Sequence, residues 1–365
     1  MPLAEVMSSP RYVDISITSK CNLRCKYCYF FDRPGINYID LPTAEWLKFF
    51  EELGKLAVLN VGIFGGEPFL RSDLEDILKG IVHNRMRFYI GSNGSLINDD
   101  IAKFIKSTGR CDFIQISLDG SCAAIHDAIR GRGSFEGAVR GIKTLQRHGI
   151  PVTARVTINH HNVLDLENMA RFILDDLDLS IFQSFSARDQ GSCRKHADEM
   201  QLTVKERMRA MTTLLKLSAK YQSKISAAST PLLQARSWKK MGESRLQKTP
   251  ASKKGGHLNA CGDSFNSIHV HSDGTITPCT ILGNIDLGRI NRDSLSEVWL
   301  NSPVLNNMRS RYIPLADFEF CQGCDYILYC KGICPVSAYS ITGELDHPDP
   351  DTCLRVFLRE GGKLP

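Results

Sequence analysis

Residues 18–29 of the chain read TSKCNLRCKYCY and contain three cysteines, Cys21, Cys25 and Cys28, in the spacing C-x3-C-x2-C. The stretch directly follows a run rich in β-branched residues, 12–17, which predicts a strand. Three thiolates this close together suit three irons of a cubane [4Fe–4S] cluster, because iron in such clusters prefers soft sulfur ligands. The stretch has no fourth cysteine at a comparable spacing, so the fourth iron would be open to a substrate or cofactor. The spacing therefore predicts an iron–sulfur centre that takes part in chemistry.

A zinc site or a set of buried structural thiols is the alternative interpretation of the triplet. Zinc sites usually complete four ligands with a second pair of cysteines or with histidines at characteristic spacings. The nearest downstream histidine is His83, which only the fold could bring back to the triplet. The spacing therefore favours an iron–sulfur cluster over zinc.

Length and composition are those of an ordinary globular protein. The chain has 365 residues, 42% of them hydrophobic and 23% charged, which is enough for two or three domains. It has no apolar run of about 18 residues and no secretory signal pattern. Thirteen cysteines in such a chain indicate metal binding or catalysis rather than disulfides. We expect a cytoplasmic enzyme without a membrane span.

The first half of the chain alternates apolar, β-branched runs with amphipathic stretches. This alternation predicts a parallel sheet with right-handed helical crossovers. Six such units are too few for a closed eight-fold barrel, so the fold class is α/β with an open, partial (β/α)6 TIM barrel. The predicted strands are 12–17, 58–64, 87–91, 112–118, 151–158 and 180–185, and the predicted helices lie near 43–55, 71–83, 98–107, 135–148 and 164–176.

Small and polar residues follow the predicted strands, at the sheet edge where ligands gather in such folds. Two glycines after the second strand allow a ligand to approach the backbone closely. Taken alone, that segment is better explained as a tight turn with a solvated glutamate. The candidate binding residues are Gly65, Gly66, Glu67, Pro68, Ser92, Asn93, Ser117 and Asp119.

A second set of cysteines lies in the last 105 residues. Seven cysteines in so short a segment are too many for ordinary core residues. Their spacing is C-x12-G-x4-C, then C-x2-C-x5-C-x3-C, then a final cysteine. They are Cys261, Cys279, Cys321, Cys324, Cys330, Cys334 and Cys353.

Together these motifs resemble the radical S-adenosylmethionine (SAM) enzymes that carry a SPASM domain. Tyr27 occupies the aromatic position of that family's C-x3-C-x-(aromatic)-C motif. The resemblance implies that Gly65–Pro68 holds the SAM amino group and that the polar residues after the third and fourth strands line its ribose and methionine parts. It also implies that Arg130 holds the SAM carboxylate, with Arg132 or Arg155 as alternatives. In this family SAM bound at the open iron yields a 5′-deoxyadenosyl radical that removes hydrogen from carbon.

The resemblance further implies three [4Fe–4S] clusters, one that binds SAM and two auxiliary ones. One auxiliary cluster would be closed by Cys321, Cys324, Cys330 and Cys353, and the other would be held by Cys261, Cys279 and Cys334. Some relatives have one more cysteine, about six residues before the first of these, but Gly255 occupies that position here. The second auxiliary cluster is therefore either open or completed by a distant ligand such as Cys193.

The resemblance implies that the substrate is a ribosomally made precursor peptide. Sulfatase-maturing relatives place an aspartate base where this chain has Thr280, which cannot act as a carboxylate does. Only about ten residues precede the first strand, so we expect a separate small leader-binding protein, and a ferredoxin or flavodoxin as electron donor. The stretch 12–31 resembles maturases of Nif11-type leader peptides, some of which are spliceases that excise tyramine at a tyrosine. The alternatives are carbon–carbon or thioether crosslinking, maturation of a partner enzyme, and a non-enzymatic iron–sulfur electron carrier or zinc scaffold.

We predict three regions, a radical SAM barrel (1–187), a basic bridge (188–258) and a SPASM domain (259–365). The bridge contains 16 Lys and Arg against 5 Asp and Glu, a balance of +11, so the remainder of this +5 chain carries −6. This asymmetry suits an acidic peptide or partner, although a solvated helical connector near 203–222 explains it equally well. Nucleic acid is a weaker interpretation, because no aromatic interleaving accompanies the charge.

Overall fold

A computed structural model describes residues 6–33, 35–227, 231–249, 255–332 and 334–365. The first six strands pair in chain order, all parallel, and form the predicted partial barrel. The strands are β1 (Tyr12–Thr18), β2 (Asn60–Gly65), β3 (Arg87–Ser92), β4 (Cys111–Ser117), β5 (Val152–Ile158) and β6 (Phe182–Ser186). The helices between them are α1 (Thr43–Lys55), α2 (Leu74–His83), α3 (Asp99–Ser107), α4 (Ala123–Arg130), α5 (Ser134–Arg147) and α6 (Leu166–Arg171).

The sheet continues beyond both predicted region boundaries. A strand of the basic bridge pairs in parallel with β6, and a strand of the cysteine-rich region pairs in parallel with β1. The bridge contains α7 (Ser192–Lys195), α8 (Ala197–Met200), α9 (Val204–Tyr221), β7 (Ile225–Ala227) and α10 (Pro231–Leu246). The C-terminal region contains β8 (His257–Asn259), β9 (Ser267–Val270), β10 (Thr275–Thr277), β11 (Gly288–Arg289), α11 (Leu295–Asn301), α12 (Pro303–Ser310), β12 (Tyr312–Pro314), α13 (Pro335–Thr342) and α14 (Leu354–Arg359).

The core lies between the sheet and the helices around it. Alternate residues of β1 point outward, and Val13, Ile15 and Ile17 are fully buried there. Helix α1 packs against this layer through large side chains that include Trp46 and Phe49, both fully buried. Each such side chain stabilises the fold by about 1.5–3 kcal/mol relative to an exposed one. The other residues of each strand point into the barrel, which leaves polar side chains such as Asp14 facing its lumen.

Two predicted helices differ from the observed ones for local reasons. The helix predicted over 71–83 begins only at Leu74, because a 3-10 turn at Pro68–Leu70 comes first. The Glu67 side chain caps this turn by accepting from the Phe69 N–H at 3.3 Å. The stretch predicted over 164–176 is α-helical only to Arg171 and continues as a π-turn. No helix in the described ranges is long and apolar enough to cross a membrane.

Candidate functional site

The three N-terminal cysteines lie in the loop that follows β1. Burial raises the pKa of the Cys25 thiol to about 12, and the Cys28 and Cys21 thiols act in the same direction. The Leu23 N–H donates to Cys21 Sγ at 3.4 Å, and the Arg130 Nη1 lies 3.8 Å from Cys25 Sγ. These donors favour thiolates, the form in which cysteine binds iron. The residues therefore fit an iron–sulfur cluster.

The two glycines after β2 lie against the chain that leads into this loop. A Cβ on Gly65 would stand 2.4 Å from the Thr18 carbonyl oxygen, and one on Gly66 would stand 2.0 Å from that of Lys20. In addition, the Gly66 N–H donates to the Thr18 oxygen at 2.8 Å, and the Glu67 N–H to the Lys20 oxygen at 2.7 Å. Any side chain at position 65 or 66 would push the cysteine loop away. The glycines therefore fix the position of the triplet.

Glu67 joins the second and third strand ends into one polar cluster. Its carboxylate is 1% exposed and accepts from the Ser92 hydroxyl at 2.7 Å and from the Asn93 N–H at 2.8 Å. Burial raises the pKa of Glu67 to about 7 despite these donors. The Asn93 amide donates in turn to Asn22 Oδ1 at 2.9 Å, inside the cysteine loop. Asn22 was missed by sequence reasoning, although its place between Cys21 and Cys25 was a usable signal.

Asp119 and Arg130 form a buried ion pair beside the triplet. Arg130 Nε lies 2.5 Å from Asp119 Oδ2, and the side chains are 7% and 0% exposed. The Tyr27 hydroxyl donates to the same oxygen at 2.5 Å and also contacts the Arg130 guanidinium. The Thr157 N–H donates to the other oxygen at 2.7 Å. In this arrangement Arg130 faces Asp119, Tyr27 and the Cys25 thiol, and its contact with the SAM carboxylate stays a prediction.

Ser117 and Pro68 complete the predicted set. Ser117 is the last residue of β4, half-buried and paired in register with Arg155 of β5. Pro68 is buried at the start of the 3-10 turn after Glu67. The candidate residues from Gly65 to Asp119 thus follow the carboxyl ends of β2, β3 and β4, and the segment after β2 and Asn93 contact the cysteine loop or the chain that leads into it.

The barrel lumen holds polar and aromatic side chains that sequence reasoning largely missed. The Tyr89 hydroxyl donates to Asp14 Oδ1 at 2.5 Å, and burial raises the pKa of Asp14 to about 6. The Arg155 guanidinium lies 3.6 Å from the centre of the Phe185 ring, and its Nη1 is 3.4 Å from Gln115 Oε1. No carboxylate in the described ranges forms a salt bridge with Arg155. Polar residues alternating with aliphatic ones along β1 and β5 were the signal that could have revealed this lumen.

The predicted ligands of the closed auxiliary cluster surround one pocket. Cys321, Cys324, Cys330 and Cys353 all line it, together with apolar side chains such as Leu315. Burial raises the pKa of Cys321 to about 12, and the other three thiols act in the same direction. Four soft ligands in an apolar enclosure fit the predicted cluster.

The three remaining auxiliary cysteines also come together. Cys261, Cys279 and Cys334 pack around an apolar cluster that contains Leu282. Burial raises the pKa of Cys279 to about 12, and Cys334 and Cys261 act in the same direction. Within the described part of the chain, no group of three or more His, Cys, Asp or Glu side chains is arranged so that it could hold a single metal ion.

Cys193, the candidate fourth ligand, lies elsewhere. It is fully buried in a separate cluster with Ile129 and Met200, against Tyr27 and near the first triplet. Cys193, one possible distant ligand, therefore packs apart from Cys261, Cys279 and Cys334, and the structure does not support its role as their fourth ligand. Sequence separation alone could not show on which side of the barrel its short helix, α7, lies.

Arg33 connects the loop after the first triplet to the loop after Cys279. Its Nη1 donates to the Thr280 carbonyl at 2.9 Å and its Nη2 to the Ile281 carbonyl at 2.6 Å. Thr280 therefore contributes its backbone to this contact. Arg33 ties the triplet loop to one auxiliary site and was missed by sequence reasoning.

Comparison with known families decides between the interpretations of these cysteines. A family model of the Radical SAM superfamily matches residues 15–173, and one of the SPASM iron–sulfur cluster-binding domain matches residues 261–325. The chain is a radical SAM enzyme with a SPASM domain. Its cofactors are SAM, the [4Fe–4S] cluster of the radical SAM domain and the auxiliary clusters of the SPASM domain. The assignment of individual cysteines to clusters stays a prediction supported by the geometry above.

Several known proteins resemble this radical SAM enzyme along most of its length. Pre-heme d1 synthase from Dinoroseobacter shibae is 26% identical, over 92% of this chain and 84% of the relative. Mycofactocin maturase MftC from Mycobacterium ulcerans is 26% identical, over 94% and 88%. The crystal structure of Streptococcus suis SuiB bound to the precursor peptide SuiA superposes with a TM-score of 0.71 at 16% identity, over 96% of this chain and 77% of SuiB. The last similarity confirms the fold.

Proposed function

We propose that this radical SAM enzyme modifies a ribosomally made precursor peptide, by hydrogen abstraction at a carbon of the peptide. The observation that carries the proposal is the pairing of a radical SAM barrel with two SPASM cysteine sites, in a chain related to mycofactocin maturase over 94% of its length. The superposition on SuiB is compatible with it, since that structure contains a precursor peptide. When bound, SAM and its cluster supply a 5′-deoxyadenosyl radical. The finer proposal is excision of tyramine at a tyrosine of the peptide.

The residues around the triplet would position this chemistry. Both oxygens of the Glu67 carboxylate are fixed by Ser92 and the Asn93 N–H, so the group is oriented before SAM binds. Arg130 places a positive charge 3.8 Å from Cys25 Sγ, and Asp119 and Tyr27 hold it there. Such a rigid site aims the radical and limits side reactions.

The lumen would bind the segment of the peptide that reacts. Arg155 presents a guanidinium without a carboxylate partner among the described residues, stacked on Phe185. An unpaired buried charge is unfavourable until a ligand neutralises it. A carboxylate of the substrate would do so, and the aromatic rings of Tyr89 and Phe113, stacked with centres 5.0 Å apart, offer apolar contact beside it.

The auxiliary sites would exchange electrons with the reacting peptide, and a ferredoxin or flavodoxin would supply electrons to the enzyme. Arg33 makes the junction between the triplet loop and the Cys279 loop rigid. A separate small protein would bind part of the leader of the precursor and bring it to the enzyme. These partners are part of the proposal.

A second candidate substrate is a tetrapyrrole. Relatives with heme-pathway names favour it, because they are about as similar to this chain as mycofactocin maturase is. One is pre-heme d1 synthase. Another is an AdoMet-dependent heme synthase from Methanosarcina barkeri, which is 25% identical over 94% of this chain and 96% of the relative. Tetrapyrroles carry carboxylates that could also pair with Arg155.

Anaerobic coexpression with short peptides encoded beside the gene tests the proposal by mass spectrometry. Loss of the elements of tyramine from a tyrosine indicates splicing, loss of two hydrogen atoms with a new crosslink indicates cyclisation, and both support peptide modification. A matched coexpression with the Cys21→Ala, Cys25→Ala, Cys28→Ala variant must leave each peptide unchanged. Unchanged peptides with the wild-type enzyme, together with a modified tetrapyrrole in the same cells, would replace the proposal by the second candidate.

A further inference from the structure

Helix α9 carries a stripe of positive charge along its exposed face. Lys205, Arg209, Lys216 and Lys220 are all exposed. At 100° per residue they fall within about 60° of the helix circumference, over a length of about 22 Å. The opposite face contains Ala210, Met211, Leu214 and Leu217, which pack into the core. The stripe is therefore the solvent side of a helix whose other side is fixed in place.

The stripe has little internal neutralisation. No described residue forms an ion pair with Lys205, Arg209 or Lys216. Lys220 lies 4.7 Å from the centre of the Tyr221 ring and near Asp175, at one end of the stripe. The single acidic residue of α9, Glu206, caps the helix through Thr203 and pairs with His160 at 2.7 Å.

The neighbouring helix extends the positive surface. Helix α10 packs against α9, and Arg236 of α10 donates to the Ser218 hydroxyl of α9 at 2.5 Å. Lys239 and Lys240 follow on the exposed side of α10, where Glu243 is the acidic residue. The surface thus joins two helices of the region that holds +11 in a chain whose remainder is −6.

We infer that the exposed basic face of α9 and α10 binds an acidic polypeptide segment. Resting on the proposed function, that segment is the acidic leader of the precursor peptide. Unpaired lysines and arginines at helical spacing along about 22 Å match carboxylates spaced along an extended or helical segment. Like charges held together on a rigid surface raise the local concentration of an oppositely charged partner and speed its association.

The surface suits a polypeptide better than a nucleic acid. Proteins that bind single strands stack bases on exposed aromatic rings between the basic residues. Here Trp238 is fully buried, and the Tyr221 hydroxyl is held by Asp175 at 2.7 Å. The stripe therefore offers charge without a stacking platform.

Fluorescence anisotropy of the reconstituted enzyme with fluorescein-labelled decaglutamate tests the inference. The triple variant Lys205→Glu, Arg209→Glu, Lys216→Glu should weaken binding at least about tenfold, and added salt should weaken wild-type binding. The matched control Lys48→Glu, Lys103→Glu, Lys143→Glu changes the net charge equally, at exposed cations of α1, α3 and α5, and should stay within about twofold. Substrate-free SAM cleavage by all variants should match the wild type and shows that each is folded.

Three results would overturn the inference. The first is that decaglutamate does not bind to the wild-type enzyme, and the second is that both triple variants weaken decaglutamate binding equally. The third is that labelled dodecathymidylate binds more tightly than decaglutamate and that the stripe variant loses this binding, which would assign the face to nucleic acid. The proposed function fails separately. If the wild type and the stripe variant modify a coexpressed peptide equally well, the leader site is wrong and peptide modification stands. If the wild type modifies no peptide, the proposed function fails whatever decaglutamate shows.

Discussion

Replacement of Asp119 by Asn is expected to destabilise the enzyme strongly although it preserves the shape of the side chain. The carboxylate is fully buried and accepts from Arg130 Nε at 2.5 Å, from the Tyr27 hydroxyl at 2.5 Å and from the Thr157 N–H at 2.7 Å. An asparagine can keep the Thr157 contact but leaves the buried Arg130 guanidinium without a counter-charge. Removing one partner of a buried pair costs about 3–5 kcal/mol, a large part of the stability of a typical domain.

The assay is urea unfolding of the cluster-free protein, followed by circular dichroism. The matched control is Asp112→Asn, the same substitution at the partly exposed pair of Asp112 with Arg87, whose side chains are 27% and 45% exposed. That change should cost about 1 kcal/mol or less, because exposed ion pairs contribute little. Equal effects of the two substitutions would refute the account of Asp119 as the counter-ion that holds Arg130.

Three further outcomes follow from the site and the lumen. Gly66→Ala would place a Cβ 2.0 Å from the Lys20 carbonyl oxygen and should lower the iron content of reconstituted protein from roughly twelve to roughly eight per chain. The control Gly262→Ala, where the Cβ meets nothing within 4 Å, should leave the iron content unchanged. Burial raises the Asp14 pKa from 3.8 to about 6, so the folded state binds this proton more tightly than the unfolded state. The contribution of the protonated Asp14 carboxyl to the unfolding free energy is therefore present below pH 4 and lost as the pH rises through 6. The substitution Asp14→Asn should flatten the pH dependence of the unfolding free energy by about 2–3 kcal/mol over that window. An unchanged profile would contradict the burial of this carboxyl. Arg155→Gln should leave substrate-free SAM cleavage within about twofold while lowering product formed from the coexpressed peptide about tenfold or more; loss of SAM cleavage would instead assign Arg155 to SAM.

The sequence was sufficient for the barrel because its pattern is local. Helix α1 was predicted at its observed bounds, residues 43–55, since its apolar residues recur at helical spacing and bury Trp46 and Phe49. The six strand positions follow from short β-branched runs, and the chain-order pairing follows from the helices between them.

Longer-range features could not be predicted in the same way. Strand β7 has three residues in a polar segment, and its pairing with β6 depends on where α9 packs. Likewise, β9 joins the edge of β1 across more than 250 residues of chain. No local periodicity encodes either contact, so the sheet crosses boundaries that composition suggested.

The candidate site likewise has features that local motifs predict and features that depend on long-range contacts. Motif spacing identified the cysteines and the segment Gly65–Pro68, and the structure shows why that segment needs glycine. The hydrogen bonds that join Glu67 to Asn93 and Asn93 to Asn22 link three separate loops. The link from Arg33 to the loop after Cys279 joins residues 247 positions apart in the chain. Such contacts arise only when the strand ends meet at one edge of the sheet.

Reductive cleavage of SAM by the reconstituted enzyme tests the central claim most directly. With dithionite, the wild-type protein should release 5′-deoxyadenosine and contain roughly twelve irons per chain. The variant Cys21→Ala, Cys25→Ala, Cys28→Ala should keep roughly eight irons in its auxiliary sites and release none. Release of 5′-deoxyadenosine by that variant at the wild-type rate would contradict the assignment of radical SAM chemistry to this triplet.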